Sequence, residues 1–320
     1  MLIVKKFGGS SVANKERIFN VAKRCIEDYR AGHDVVVVLS AMGDTTDDLI
    51  ALANTINPNA KKRELDMLLT TGEQVSVSLM AMAMQALDVP AVSLNAFQVM
   101  MHSTSRYGNA RFKRVDTERI MHELDSRKIV IVTGFQGVNK YDDITTLGRG
   151  GSDTTAVALA ASLKAKQCYI YSDVDGIYSA DPNKVEGTRK LTDISYEEMH
   201  ALSSEGAKVL HDRCVEIGEK YNVPIVTGST FNNNPGTVIS HKLEASGIKS
   251  IVKKDVSRVS VIGFGISSRD EIINKILDIA NKNSLEIFNI DISRTKISVV
   301  FKEMVKDEIL QELHEVLVRT

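Results

Sequence analysis

Leu2-Ile3-Val4-Lys5-Lys6-Phe7-Gly8-Gly9-Ser10-Ser11 opens the chain, and this stretch sets the fold class. The apolar run Leu2 to Val4 meets two glycines and two serines, after which Ile18, Val21, Ala22, Cys25, Ile26 and Tyr29 recur at helical spacing. The order is strand, glycine loop and amphipathic helix. Asp34 then leads into Val35-Val36-Val37-Val38-Leu39, a β-branched run without alternation, as in a strand covered on both faces of a parallel sheet. It ends in the polar turn Ser40 to Asp48.

The alternation continues outward from this start. A helix is expected from about Glu64 to Ala86, a strand at Ala91 to Leu94, and another at Ile129 to Val132 running into Thr133-Gly134-Phe135-Gln136-Gly137. Beyond Gly148-Arg149-Gly150-Gly151-Ser152-Asp153, an alanine-rich helix from Thr154 to Leu163 precedes a strand at Cys168 to Tyr171. Ser195 with Glu198 forms a capping-box pattern, and Leu210, Cys214, Ile217 and Tyr221 mark one face of a helix before a strand around Ile225. This pattern predicts an α/β fold, a three-layer sandwich around a mostly parallel sheet.

Asn232-Asn233-Asn234-Pro235-Gly236 is a strong turn, and Ser240 to Ser250 reads as an exposed connection. The domain boundary is placed there, giving 1–245 and 246–320. The second part reads as strand (Val256 to Gly263), helix (Arg269 to Asn281), strand (Glu286 to Ile292), strand (Ile297 to Phe301) and helix (Val305 to Leu317). That βαββα order is one strand short of a ferredoxin-like α+β unit.

Lys and Arg number 40 against 41 Asp and Glu, a net charge of −1 that supplies no global field toward nucleic acid or an anionic membrane. Cys25, Cys168 and Cys214 lie far apart and form no CxxC pair, so each is expected to be a buried small hydrophobe. The start of the chain lacks the pattern of a secretory signal, and no apolar stretch is long enough to span a bilayer. A cytoplasmic protein is the expectation. Met80, Met82 and Met84 are read as core filler.

The glycine and polar clusters fall just after strands, where open α/β sheets place ligands. Gly8 and Gly9 allow backbone N–H groups to approach an anion, and Lys6 adds full positive charge beside them. Alone, the same residues fit a tight turn and a surface lysine equally well. The second cluster joins a guanidinium fork at Arg149 to glycines and a helix start, which exceeds what capping by Asp153 requires. Ser172-Asp173-Val174-Asp175-Gly176-Ile177-Tyr178 leaves a strand toward Asp181-Pro182 and reads either as a ligand loop or as a polar turn. No Gly-Lys dipeptide occurs, so a P-loop is excluded. His211-Asp212-Arg213 has the wrong order for a protein-kinase catalytic loop, and Gly263-Phe264-Gly265 lacks the third glycine of a dinucleotide fingerprint. His200 and His211 have no metal-ligand spacing.

Taken together, Lys5-Lys6-Phe7-Gly8-Gly9-Ser10-Ser11-Val12, Ser40 to Asp47, Thr71-Gly72-Glu73, Gly134 to Gly137, Thr146 to Thr155, Ser172 to Pro182 and Gly206 to His211 resemble the aspartokinase branch of the amino acid kinase family. The resemblance covers essentially the whole chain, with the C-terminal part similar to an ACT regulatory domain. It implies transfer of the γ-phosphoryl group of ATP, with Mg²⁺, to the side-chain carboxylate of L-aspartate, the first step toward lysine, threonine and methionine. By resemblance, Lys6, Asp153 and Lys208 are catalytic: the lysines neutralise phosphates and Asp153 orients them. Thr46, Glu73, Arg149, Gly150 and Ser152 bind the substrate, Arg149 its α-carboxylate and Glu73 its α-ammonium.

By the same resemblance, Phe7, Gly8, Gly9, Ser10, Ser40, Ser172, Asp173, Tyr178, Asp181 and Lys184 line the nucleotide site together with Lys6 and Lys208. Asn183 stands where the family often has arginine, and Lys184 is the substitute. Mg²⁺ is expected to be held by phosphates and water, so no protein ligand is assigned. Relatives usually carry two ACT units, so this one is expected to be incomplete. Lysine or threonine as feedback effector, and a homo-oligomer, are further implications. Rival readings are a kinase of the same fold acting on another carboxylate, such as glutamate or acetylglutamate, and a non-catalytic amino-acid sensor.

Overall fold

The computed structural model describes residues 1–205, 209–241, 247–254, 258–266, 270–302 and 304–318. It divides into two compact units, Met1–Asp175 with Ile217–Asn234, and Gly176–Glu216 with Pro235–Thr320. This partition differs from a cut at 245, because Gly176–Glu216 groups with the C-terminal segment.

The first unit begins with β1 (Leu2–Phe7), α1 (Lys15–Arg30), β2 (Asp34–Leu39), α2 (Thr45–Ile56), α3 (Lys62–Leu69), α4 (Thr71–Gln85) and β3 (Ala91–Leu94). The short strands β4 (His102–Ser103) and β5 (Phe112–Arg114) come next, and after them α5 (Glu118–Asp125), β6 (Ile129–Thr133), β7 (Gln136–Val138), β8 (Ile144–Thr146), α6 (Gly151–Ser162) and β9 (Gln167–Ser172). Then come β10 (Asp193–Ser195), α7 (Tyr196–Ser204), α8 (Asp212–Tyr221) and β11 (Ile225–Ser229), the last of which belongs to the first unit.

Strands of the first unit are ordered β11-β9-β1-β2-β6-β3, each paired in parallel with its neighbour. Strand alternation sends Ile3, Phe7, Val35, Val37, Leu39, Ile129 and Ile131 into one buried cluster with Ile18, Val21 and Cys25 of α1 and Val77, Met80 and Met84 of α4. The residues between them, such as Val4, Val36 and Val38, are equally buried, and α6 packs on β1, β2 and β9. The expected three layers are therefore present. The register pairs Phe7 with both Leu39 and Tyr171, and Leu39 with Thr133, so the loops after β1, β2, β6 and β9 leave the sheet at one level.

The helix expected over Glu64 to Ala86 is two helices, broken at Thr70. There the Thr70 carbonyl accepts from Gln136 Nε2 at 2.7 Å, a partner outside the helix. All three cysteines are buried, and burial pushes the Cys25 thiol up to about 12. Met80 and Met84, one turn apart, are fully buried as expected, whereas Met82 faces the other way and is 61% exposed.

In the second unit, the capping box at Ser195 and Glu198 opens α7 as read from sequence. The unit continues with β12 (Thr237–Ser240), β13 (Gly247–Lys254), β14 (Arg258–Phe264), α9 (Asp270–Lys282), β15 (Ile287–Ser293), β16 (Lys296–Phe301) and α10 (Asp307–Val318). β10 and β12 pair in parallel. The last four strands form an antiparallel sheet ordered β13-β14-β16-β15. The stretch read as a connection over Ser240 to Ser250 thus contains the start of a strand. The unit is not one strand short, because β13 supplies the fourth strand from the N-terminal side.

Val259, Val261, Ile297, Val299 and Phe301 on one face of this sheet pack with Ile272, Ile276 and Ile279 of α9 and Leu310 and Leu313 of α10. Two of the alternate residues, Ser260 and Ser298, bear hydroxyls. Ser260 and Ser298 are 2.8 Å apart, and Ser260 donates to Glu205 Oε2 at 2.9 Å. Burial alone would raise the Glu205 carboxyl, but hydrogen bonds from Lys296, at 2.8 Å, and Ser260 hold it below its ordinary value.

Candidate active site

Residues 5 and 6 of β1 point to opposite faces, and Lys6 meets Asp153 of α6, Nζ to Oδ1 at 2.7 Å, with both side chains largely buried. The chain then turns through Gly8 into a single 3-10 turn, Gly9–Val12. Gly43 N donates to Gly9 O at 3.0 Å, which holds the loops after β1 and β2 together. Ser40 N donates to Phe7 O at 3.2 Å, and Gly134 N to Leu39 O at 2.9 Å, so the loop after β6 is tied into the same end of the sheet.

These loops rim a cavity of about 830 Å³, within the usual range for a small-molecule site. Its wall includes the predicted residues Lys6, Gly9, Ser40, Thr46, Glu73, Arg149, Gly150, Ser152 and Asp153. They come from the end of β1, the loops after β1 and β2, the first turns of α2 and α4, and the turn that leads into α6 with its first residues. Arg149 sits between Gly148 and Gly150, whose φ values of +77° and +65° are left-handed. A side chain at either position would be strained, so the turn that presents the guanidinium depends on both glycines.

Glu73 is 3% exposed, not the solvated helix-entry residue that its position alone would suggest. Its Oε1 accepts from Ala41 N at 3.2 Å, while Oε2 is buried and has no hydrogen-bond partner among the described residues. Burial raises its pKa to about 7, only partly opposed by backbone hydrogen bonds from Glu73 and Ala41. An anion in this condition is matched by a cation placed against it.

Of the other predicted residues in the first unit, Phe7, Gly8, Ser10, Ser172 and Asp173 are not part of the cavity wall. Phe7 is fully buried and stacked on Tyr171 with ring centroids 4.9 Å apart, so its side chain packs in the core and does not line the cavity. Gly8 adjoins Lys6 Nζ, and Ser10 is exposed, its carbonyl accepting from Arg17 Nη1 at 2.6 Å. Ser172 Oγ accepts from Val174 N at 3.2 Å, and Asp173 is exposed. Tyr178, Asp181 and Lys184 belong to the second unit, where Tyr178 bridges Lys190 and Asp181 Oδ1 accepts from Asn183 N at 2.9 Å. Lys208 lies outside the described residues. Among the described residues no group of three or more His, Cys, Asp or Glu side chains could hold a metal ion.

Sequence reasoning missed Asp66, Gly108 and Phe135 as cavity residues. Asp66 stands among Leu65, Leu68 and Leu69, and an acid inside an apolar helix stretch was the available signal.

An α/β/α sandwich with glycine loops, a buried lysine–aspartate pair and an arginine turn at the carboxyl ends of its strands is the frame of a small-molecule phosphotransferase. The chain belongs to the amino acid kinase family, whose model matches residues 1–228. Within that family it is similar to aspartokinases. It is 48% identical to the aspartokinase of Bacillus sp. (strain MGA3) over 267 residues, 82% of this chain and 65% of the relative. It is 50% identical to that of Corynebacterium glutamicum over 273 residues, 84% of this chain and 65% of the relative. The chain thus spans about 65% of the length of these relatives. The crystal structure of aspartate kinase from Synechocystis matches with a TM-score of 0.70 at 39% identity, covering 99% of this chain and 54% of that one. No helix among the described residues is long and apolar enough to cross a membrane.

Proposed function

We propose that this chain transfers the γ-phosphoryl group of ATP to the side-chain carboxylate of L-aspartate, giving 4-phospho-L-aspartate and ADP. The observation that carries the reading is the presence in one cavity of Arg149 and of buried Glu73 with its unpartnered Oε2. A guanidinium suits the α-carboxylate and a carboxylate the α-ammonium of an amino acid. Similarity to aspartokinases at about half identity supports the same substrate.

The acceptor carboxylate is already ionised near neutral pH, so no general base is needed. One of its oxygens forms a bond to the γ-phosphorus as the bond from that phosphorus to the β,γ-bridging oxygen breaks, and ADP leaves. The difficulty is repulsion between anions, met by positioning and by cationic charge. Lys6, held by Asp153, supplies that charge beside Gly8 and Gly9, with Lys208 as a second cation. Thr46, Gly150 and Ser152 hydrogen-bond the substrate. Ser40, Ser172, Asp173, Tyr178, Asp181 and Lys184 serve the nucleotide. Mg²⁺ enters with the nucleotide, held by phosphate oxygens and water. Residues 1–245 are the catalytic domain in this reading and 246–320 an ACT-like unit for lysine or threonine as feedback effector, in a homo-oligomer. The antiparallel sheet with two helices on one face supports that assignment.

Trapping the acyl phosphate with hydroxylamine tests the reaction. Hydroxamate should form with ATP and L-aspartate, and Arg149→Ala should raise the KM for aspartate by roughly 100-fold, the scale of one lost charge-assisted bond. Product from L-glutamate or N-acetylglutamate in place of aspartate assigns another carboxylate. Amino-acid binding without turnover assigns a sensor.

A further inference from the structure

We propose that Asp66 is a positioning residue that fixes the two amino-acid-reading ends of the cavity, Arg149 and Glu73, relative to each other; this rests on the reading of the cavity as an aspartate site. Asp66 lies on α3, lines the cavity and is 1% exposed. Its two oxygens accept from Gly108 N at 3.0 and 2.9 Å. Oδ2 also accepts from Thr146 N at 3.0 Å, and Oδ1 from Thr146 Oγ1 at 2.8 Å. Gly108 N and Thr146 N can only donate, and they face both carboxylate oxygens, so an amide nitrogen in place of Oδ1 would lose the Gly108 bond there and reverse the one to Thr146 Oγ1.

Each contact leads toward a residue that reads substrate. Thr146 ends β8, two positions before the Gly148-Arg149-Gly150 turn. Gly108 and Asn109 pack against that turn so closely that a Cβ on Gly148 would lie 3.0 Å from Asn109 Oδ1 and 3.3 Å from Gly108 O. Ala110 N donates to Thr146 O at 2.9 Å and joins the two segments. On its own helix, Asp66 precedes the break at Thr70, beyond which α4 carries Glu73 in its first turn. One buried carboxylate therefore gathers the helix pair bearing Glu73 and both segments that shape the Arg149 turn. Burial raises the pKa of Asp66, while the bonds from Gly108 and Thr146 work to lower it.

The test compares Asp66→Asn, Thr146→Val and Thr146→Ser in the full chain, by steady-state kinetics and by hydrogen exchange of the backbone amides. Asp66→Asn should raise the KM for L-aspartate by about 30-fold, with kcat and the KM for ATP within about threefold of wild type. Thr146→Val, which removes one bond of the set, should move the same constant by about fivefold, and Thr146→Ser should restore it. Exchange at 108–110 and 146–152 should quicken about tenfold in Asp66→Asn while β1 and β2 keep their protection. Equal rises in both KM values, accompanied by a general loss of stability, would reduce Asp66 to an ordinary structural residue. An unchanged aspartate KM overturns the proposal outright. Wild-type protein without aspartate-dependent turnover defeats the functional reading instead, and the exchange data still decide Asp66: unaltered protection in both segments refutes its role, and selective loss there sustains it.

Discussion

Lys5 and Lys6 are neighbours on one strand, both buried, at 4% and 9% exposure, and both paired with an aspartate, yet they occupy opposite environments. Lys5 faces α1, where it contacts Asp28, donates to Arg24 O at 3.3 Å and lies about 6 Å from the ring centres of Tyr169 and Tyr171. Burial works to lower its pKa, but Cys25, Tyr171 and Asp28 outweigh it, and the net direction is upward. Lys6 faces α6 and the cavity, beside a glycine loop. The pleat of the strand, which separates adjacent side chains by a whole sheet, assigns one lysine to holding layers together and the other to charge at the site.

The largest effect expected from this contrast is on turnover. Lys6→Met should lower hydroxamate formation by about 10³-fold, the scale of losing one preorganised group that stabilises developing charge. Stability should fall as well, because Asp153, its side chain 14% exposed and its Oδ1 buried, is left without its counter-ion. Lys5→Met should cost stability but spare turnover. Removing one partner of a buried pair costs about 3 kcal/mol, the lower end of the usual range because the Asp28 side chain is 31% exposed. At temperatures where the variant is folded, its turnover should stay within about threefold of wild type. Urea unfolding beside the trapping assay checks both, and equal losses of activity in the two variants would dissolve the distinction.

How much of this was legible in the sequence depends on how far each feature's causes lie along the chain. The Val35 to Leu39 run and the alternation of strand and helix show the sandwich because their signals are local, and the glycine clusters mark the strand ends for the same reason. The cavity residues Lys6, Arg149 and Asp153 could be selected by type and position, and the family resemblance added Glu73 and Thr46. What stayed hidden is set by distant partners. Thr70 breaks its helix through Gln136, 66 positions away, and Asp66 is satisfied by Gly108 and Thr146, 42 and 80 positions away. The strand over Gly247–Lys254 is hidden because Ser250 and its three lysines interrupt any apolar stripe, and its pairing with β14 is what makes it a strand. The reading of Met80, Met82 and Met84 as core filler holds for Met80 and Met84, one turn apart, but not for Met82, which is two residues out of phase.

Glu73 sets a third buried charge beside the two lysines, this one lacking the counter-ion that Lys5 has. A carboxyl raised from 4.5 to about 7 binds protons in the folded state over a range where the unfolded chain has lost them. Between those values stability should therefore fall as pH rises, and above them the cost is complete, amounting to no more than roughly 3 kcal/mol at about 1.36 kcal/mol per unit. Glu73→Gln should remove the slope, so the variant should be the more stable protein at about pH 8 and no more stable than wild type at about pH 4.5. That sign is opposite to the loss expected for Lys5→Met. The same substitution should cost affinity for L-aspartate, since a neutral amide pairs poorly with the α-ammonium. In the wild type, binding the ammonium should draw the Glu73 pKa down, so that affinity weakens as pH falls below about 7 and binding near that pH releases a proton. Calorimetry in two buffers of different ionisation enthalpy measures that proton. A wild type that binds aspartate without releasing it, together with Glu73→Gln destabilised at about pH 8, would mean that Glu73 is a compensated structural charge like Lys5, and the contrast between the two sides of the strand would have to rest on Lys6 alone.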